Sequence, residues 1–222
     1  MISLKNIYKS YQENGKELKI FENLNLDIKE GTKNIILGSS GSGKSTFLNL
    51  ISALYDTDKG EIWIDGINLA ALKENDKTKF RREKIGFIFQ FFNLIPTITV
   101  EENIFLPLEL NHKITQENKD YTLGILEKVG LLSRLKSMPD RLSGGEQQRV
   151  AIVRALAHKP KIIVADEPTG NLDKDTAQII IQIIDELCTL SKVTLVMATH
   201  DINLCTIADN TWQVNNHQLE LR

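Results

Sequence analysis

"NIILGSSGSGKS", Asn34 to Ser45, is the stretch that decides the fold. Asn34 to Gly38 form a short, nearly all-apolar run, the pattern of a strand covered on both faces of a sheet. Gly38 to Ser45 satisfy G-x-x-x-x-G-K-[ST] in full, and a helical pattern continues from about Lys44 to Leu54. Strand, glycine-rich loop and helix, in that order, are the context in which this motif binds phosphate. Gly38, Gly41 and Gly43, with Ser39, Ser40 and Ser42 between them, let backbone N–H groups curl around the β- and γ-phosphates of a nucleotide. Lys44 supplies a point charge to those phosphates, Ser45 offers a hydroxyl to Mg²⁺, and Thr46 can reach the α-phosphate.

A matching partner lies downstream in "IIVADE", Ile162 to Glu167. Four apolar residues drive a strand into the centre of a sheet, and two carboxylates emerge at its C-terminal edge, where α/β sheets place their ligands. Asp166 is expected to hold Mg²⁺, and Glu167 to polarise a water for attack on the γ-phosphate. "PTGNLD" follows directly.

The rest of the chain alternates in the same way. Residues 2–9 and 19–28 read as half-buried strands, with a hairpin-type turn from Glu13 to Glu17 around Gly15. "GEIWIDG", "IGFIFQ" (Ile85 to Gln90) and "VTLVMATH" read as further strands, residues 70–84 as a polar surface helix, and "TWQV" and "QLEL" as short terminal strands. Residues 96–159, with Pro96, Pro107 and Pro139, hold helix-like segments and no buried-strand pattern. The expected architecture is α/β: a phosphate-loop core with a mostly parallel sheet, an N-terminal antiparallel β subdomain and an inserted helical subdomain. The expected division is a nucleotide-binding core of residues 1–95 and 160–222, with residues 96–159 as the helical part of a single domain.

Bulk properties narrow the partners. A chain of 222 residues, 41% hydrophobic and 25% charged, can bury a core as one large domain. A formal net charge of −2 argues against nucleic-acid binding through bulk charge. Two cysteines, Cys188 and Cys205, without paired spacing, predict no disulfide framework or zinc site. The N-terminal stretch carries early charges and no apolar core, so a signal peptide is not expected. The densest apolar run, "AQIIIQIIDELCTL", is interrupted by Gln182, Asp185 and Glu186 and is too short to span a bilayer. If the protein works at a membrane, it must dock on something else.

A second glycine pair stands in "LSGGEQQRV", Leu142 to Val150. Ser143 is a good N-cap, and the helix it opens is expected to run to His158-Lys159 before Pro160. Its start is suited to an anion, although the chain already has a phosphate loop of its own.

Taken in order, "GSSGSGKS", "LSGGEQQ" and "VADEPTGNLD" resemble the ATPase subunit of an ATP-binding-cassette transporter, over almost the whole chain. The resemblance implies that the two glycine motifs serve different ATP molecules. In a head-to-tail homodimer, Ser143, Gly144 and Gly145 of one subunit would close over the γ-phosphate bound by Lys44 of the other. Leu172 and Asp173 would lie in the D-loop that crosses between subunits. It also implies that Gln90 senses Mg²⁺ and the attacking water and links to the membrane partner, that His200 contacts the γ-phosphate, and that Tyr11, with Tyr8 close by, stacks on adenine. Mg²⁺ would be held by Ser45, Gln90 and Asp166.

"FFNLIPTITVEENIF" after Gln90 is similar to the subfamily of lipoprotein release, macrolide export and bacterial cell division. "VTLVMATHDINL" leans to the last of these and "FNLIPT" to the first two. The implied protein is cytoplasmic and peripheral on the inner face of the membrane, working with a separate transmembrane permease-like subunit and without nucleic acid. The C-terminus departs from the family's usual "DG" turn, with Asn215-Asn216-His217 in its place, and no regulatory extension is expected. The rival reading is a soluble cassette ATPase acting on ribosomes or nucleic acid, which would usually carry two cassettes and basic linkers.

Overall fold

The computed structural model describes residues 1–13 and 15–222; Asn14, in the expected turn between Glu13 and Glu17, lies outside the described residues. In chain order the elements are β1 (Ile2–Glu13), β2 (Lys16–Ile28), β3 (Lys33–Leu37), α1 (Lys44–Ile51), β4 (Lys59–Ile64), β5 (Ile67–Asn68) and α2 (Glu74–Lys84). There follow β6 (Ile85–Phe89), α3 (Val100–Leu110), α4 (Gln116–Lys128), α5 (Gly144–Leu156), β7 (Ile162–Asp166), α6 (Lys174–Ser191), β8 (Thr194–Thr199), β9 (Asn210–Asn215) and β10 (Gln218–Leu221). They fall into two compact units, Met1–Arg81 with Thr194–Arg222, and Arg82–Val193.

The first unit holds two strand systems. One is antiparallel, in the order β2-β1-β4-β5. Its strands β1 and β2 run several residues beyond the apolar alternation that predicted them, because pairing continues through polar positions such as Gln12↔Glu17 and Glu13↔Lys16. The other has β3 parallel to both β8 and β9, with β10 returning antiparallel to β9. The β9–β10 turn puts Asn216 and His217 at positive φ, 43° and 63°, so the departure from "DG" still closes a hairpin. All six residues of β8 are buried, as are the last four of β3. The polar residue at the head of that strand, Asn34, is fully buried and satisfied. Its Oδ1 accepts from Asn210 Nδ2 and Trp212 Nε1, both at 3.2 Å, and its Nδ2 donates to the Thr32 hydroxyl at 2.9 Å. A buried amide at this point locks β9 against the strand that feeds the phosphate loop. Helix α1 stops at Ile51, three residues short of expectation, where Ala53 turns at φ 55°.

The second unit is built on the parallel pair β6–β7 and four helices. Helix α5 lies directly against β6. A Cβ on Gly86 would come within 2.2 Å of the Ala155 carbonyl, so only glycine lets the helix approach this closely. Residues 100–156 supply α3, α4 and α5 with no strand among them, as their lack of alternation predicts. The helix from Ser143 ends at Leu156 instead of Lys159, and Lys159 adopts φ 54° ahead of Pro160. None of the helices is long and apolar enough to cross a membrane, among the described residues.

Candidate functional site

In the first unit, register sets the position of the groups expected to meet the nucleotide. Leu37 pairs with Thr199 in the parallel β3–β8 ladder. Gly38 and His200 are therefore each one residue past the same rung, at the carboxyl ends of adjacent strands. The loop closes on itself: a Cβ on Gly38 would sit 2.4 Å from Ser42 Oγ, and Ser42 N–H donates to Ser39 O at 3.2 Å. Lys44 is only 7% exposed and donates to the Gly38 and Ser39 carbonyls at 2.8 and 3.0 Å, so its ammonium is held within the loop. Ser39, Ser40, Gly41 and Ser45 are exposed, and Thr46 is half-buried with its hydroxyl 3.5 Å from that of Tyr11. Tyr11 meets Tyr55 edge-on, with ring centroids 6.3 Å apart, and Lys9 Nζ lies 5.4 Å from its ring centre.

The start of α1 differs from those of α3, α4, α5 and α6. Helices α3, α4, α5 and α6 open on Thr99, Thr115, Ser143 and Asp173, each accepting from a first-turn N–H. Helix α1 opens on Gly43, which offers no side-chain cap, and its first turn has no acid. Just before it, the buried Ser42 Oγ has no hydrogen-bond partner. First-turn N–H groups without a cap, an orphaned hydroxyl and an ammonium beside them suit a phosphate chain.

The second unit repeats the register device. Phe89 pairs with Asp166, so Gln90 and Glu167 both emerge one residue past the same rung of β6–β7. Asp166, Glu167 and Gln90 are half-buried, and Glu167 takes φ 46°. Gln90 is held from two sides by Asn171: its Nε2 donates to Asn171 Oδ1 at 3.1 Å, and Asn171 Nδ2 donates to the Gln90 carbonyl at 3.0 Å. Beyond Gln90, Phe91 is 72% exposed.

The second glycine motif lies in this same unit. Ser143 and Glu146 form a reciprocal capping box: Glu146 N–H donates to Ser143 Oγ at 3.3 Å, and Ser143 N–H donates to Glu146 Oε2 at 2.8 Å. That backbone bond holds the Glu146 carboxyl below its usual range against the opposing effect of burial, with the Ser143 hydroxyl and Arg134 assisting. The helix start read as an open anion site is thus already satisfied in part by a carboxylate of its own. Gly145 is buried against α6, where an added Cβ would meet Thr176 Cγ2 at 2.5 Å. Gly144 faces Leu172 and Phe92. Asp173 caps α6 with both oxygens, accepting from Thr176 N–H at 3.0 Å and from the Thr176 hydroxyl at 2.7 Å. Thr176 N–H holds the Asp173 carboxyl below its normal range.

Sequence reasoning did not single out Asn171, Thr176, Glu146, Gln148 or Arg154. The S-x-x-E spacing of Ser143 and Glu146 carried a signal for one of them. Thr176 lies three residues after Asp173, and its contact with Gly145 is the part no local pattern reveals; Asn171, Gln148 and Arg154 act across long sequence separations.

The chain matches the ABC transporter family over residues 21–170. It is 43% identical to an uncharacterized ABC transporter ATP-binding protein of Methanocaldococcus jannaschii, MJ0796, over 99% of this chain and 95% of that protein. It is 40% identical to the lipoprotein-releasing system ATP-binding protein LolD of Pseudomonas fluorescens, over 99% and 96%. A solved dimeric structure of MJ0796 in a post-hydrolysis state bound to ADP and Pi superposes with a TM-score of 0.88, at 42% identity over 99% of this chain and 97% of that one.

Proposed function

The chain belongs to the ABC transporter family, as an ATP-binding subunit that hydrolyses ATP, and from that premise we propose how its residues divide the work. The phosphates are bound by the backbone of Gly38, Ser39, Ser40, Gly41, Ser42 and Gly43, by Lys44 and by the hydroxyls of Ser45 and Thr46, with Tyr11 against adenine. The observation that carries this reading is the shared register. Gly38 and His200 leave one rung of a parallel ladder, Gln90 and Glu167 leave one rung of another, and carboxyl ends of parallel strands are where such sheets bind ligands.

Glu167 takes the proton of the water that attacks the γ-phosphorus, while the bond from that phosphorus to the β–γ bridging oxygen breaks and ADP leaves. Gln90 orients the water and His200 contacts the γ-phosphate. Ser45, Gln90 and Asp166 would hold Mg²⁺, which supplies charge neutralisation at the β- and γ-phosphates when bound. The exposed oxygen ligand Ser45 and the half-buried carboxylate Asp166 suit a hard cation of this kind.

Two copies pair around two ATP molecules, Ser143, Gly144, Gly145 and Asp173 of each reaching the nucleotide of the other. The dimeric form of the MJ0796 cassette supports this arrangement, as does the clustering of Gly144, Gly145, Leu172 and Asp173 at one place in the second unit. Hydrolysis then releases a clamp that exists only with ATP bound. The force passes to a separate membrane subunit, through Gln90 and the exposed Phe91 beside it, on the cytoplasmic face. The LolD relatives support a subunit of the lipoprotein-release, macrolide-export or cell-division type.

The test is Glu167→Gln in the full chain. With ATP and Mg²⁺ it should elute as a dimer in size-exclusion chromatography, with turnover near background. A monomer under those conditions would sink the dimer switch. Co-purification with ribosomes instead of a detergent-extracted membrane protein would overturn the transporter reading.

A further inference from the structure

Helix α5 does more than present the second glycine motif at its start. Further along, Arg154 donates from Nη2 to the Phe92 carbonyl at 2.9 Å and from Nη1 to the Asn93 carbonyl at 2.6 Å. Those two residues sit two and three positions after Gln90. Both lie in the left-handed region, φ 61° and 49°, where a phenylalanine is strained. They form a tight turn, Phe92 N–H bonding back to Phe89 O at 3.3 Å and Asn93 N–H to Phe91 O at 2.6 Å. One planar guanidinium spanning two consecutive carbonyls is what holds that strained turn in place, a geometry an ammonium cannot reproduce.

The same helix grips the other side of the site. Gln148 is fully buried, and its Nε2 donates to Pro168 O at 2.5 Å and to Phe89 O at 3.4 Å. Gln90 is thus flanked by two carbonyls bound from α5, at Phe89 and Phe92, and Glu167 is followed directly by a third, at Pro168. Neither Arg154 nor Gln148 belongs to the groups assigned to ATP, Mg²⁺ or the partner's nucleotide.

We propose that Arg154, assisted by Gln148, is a positioning residue for hydrolysis, bracing the Gln90 turn and the end of β7 against the helix whose start carries Ser143 to Gly145. It rests on the reading of Gln90 and Glu167 as the groups that orient and activate water. The brace makes the water-orienting glutamine and the second glycine motif parts of one body, so that a helix seated on a partner's ATP fixes Gln90 at the same time. Binding of the chain's own ATP, which depends on the first unit, does not need it.

The test uses the full chain, with ATP hydrolysis followed by phosphate release and ATP affinity measured separately. Arg154→Met should lower kcat by about tenfold or more, the scale expected when a reacting group is misplaced by a fraction of its reach. KM and the ATP dissociation constant should stay within about twofold. Arg154→Lys, which can reach one carbonyl at a time, should fall between. Phe92→Gly added to Arg154→Met should recover part of the loss, because glycine occupies φ near 60° without strain. A merely structural arginine predicts no such rescue. A kcat within about twofold of wild type in Arg154→Met, or an ATP affinity falling as far as kcat, would overturn the proposal. If Arg154→Met does not fold, Arg154→Lys decides alone: reduced kcat at unchanged affinity supports the brace, and wild-type kcat overturns it. Failure of the underlying reading is seen separately, as normal turnover in Glu167→Gln.

Discussion

Placing a methyl group on Gly145 tests how the second glycine motif is built. An ideal Cβ there would lie 2.5 Å from Thr176 Cγ2, with Arg149 Nη1 at 3.8 Å and Thr176 Cβ at 3.9 Å as ordinary neighbours. Carbon atoms rest at about 3.5–4.0 Å, so the overlap with one methyl is about 1 Å. Thr176 cannot swing aside cheaply, because its hydroxyl donates to Asp173 Oδ2 at 2.7 Å and that bond is worth about 1 kcal/mol. Overpacking of this kind costs about 1–3 kcal/mol. Replacing glycine with alanine in a helix returns at most about 1 kcal/mol, and less in the first turn. Gly145→Ala should therefore destabilise the chain by about 1–2 kcal/mol. Thr176→Ser removes the clashing methyl and retains the hydroxyl that bonds Asp173. In that background, Gly145→Ala should be neutral or slightly stabilising. The assay is urea unfolding followed by far-ultraviolet circular dichroism for the four chains of the cycle, without nucleotide. A coupling energy below about 0.5 kcal/mol would refute the packing account of Gly145. If the double variant is as stable as wild type yet fails to dimerise with ATP in the Glu167→Gln background, the glycine serves the nucleotide as well as the packing.

Burial pushes the pKa of His158 down to about 4, the Ile85 carbonyl opposing and the charge of Lys113 adding to the depression. The neutral ring is thus favoured in the folded state, and its contribution is complete above about pH 6.5 and lost as pH falls towards 4. At its limit the contribution is about 3 kcal/mol, and His158→Asn should flatten the stability profile over that window; an unchanged slope would clear His158 of the effect. Tyr11→Ala should weaken ATP binding about tenfold while Tyr11→Trp restores it, and an equal loss in Tyr8→Ala but not in Tyr11→Ala would move the adenine to the other tyrosine. Ser143→Arg should leave monomer ATP affinity unchanged, cost about 1 kcal/mol through the lost cap, and abolish the ATP-dependent dimer of Glu167→Gln in size-exclusion chromatography. A collapse of monomer affinity would instead put Ser143 beside the chain's own nucleotide.

The elements proposed to carry phosphate chemistry are legible because their signals are local. "NIILG" and "IIVAD" are apolar runs broken only by Asn34 and Asp166, and both belong to largely buried parallel strands whose last rungs set Gly38 and Glu167 in place. Membership of the family followed from three motifs in sequence order, and the comparisons agree over nearly the full length. Strand lengths in the β1–β2 hairpin were not legible, since polar residues there are held by ladder pairing instead of burial. The expected ends of α1 and α5 overshoot where a non-glycine residue, Ala53 or Lys159, turns left-handed. The braces at Asn171, Gln148 and Arg154 were invisible for another reason: each joins positions 20 to 81 residues apart, a separation across which a single sequence shows no pattern.

The two glycine motifs differ in a way that bears on how such a switch works. Helix α1 begins with no side-chain cap and no acid, beside a buried hydroxyl that lacks a partner, so its start gains most from a bound phosphate. Helix α5 begins with a complete capping box, a carboxylate already at its positive end and a glycine packed on α6. Its start is folded and partly neutralised before any ligand arrives. An anion met there gains less, because Glu146 opposes it and two donors are already in use. On the proposed dimer reading, the first contact should be tight and the second weak and conditional. A subunit can then hold ATP through α1 while remaining free of its partner, and the pair closes only when both second contacts form together. Replacing Glu146 with Gln would keep the reciprocal bonds while removing the charge, which shifts that balance towards the closed pair without altering the first site.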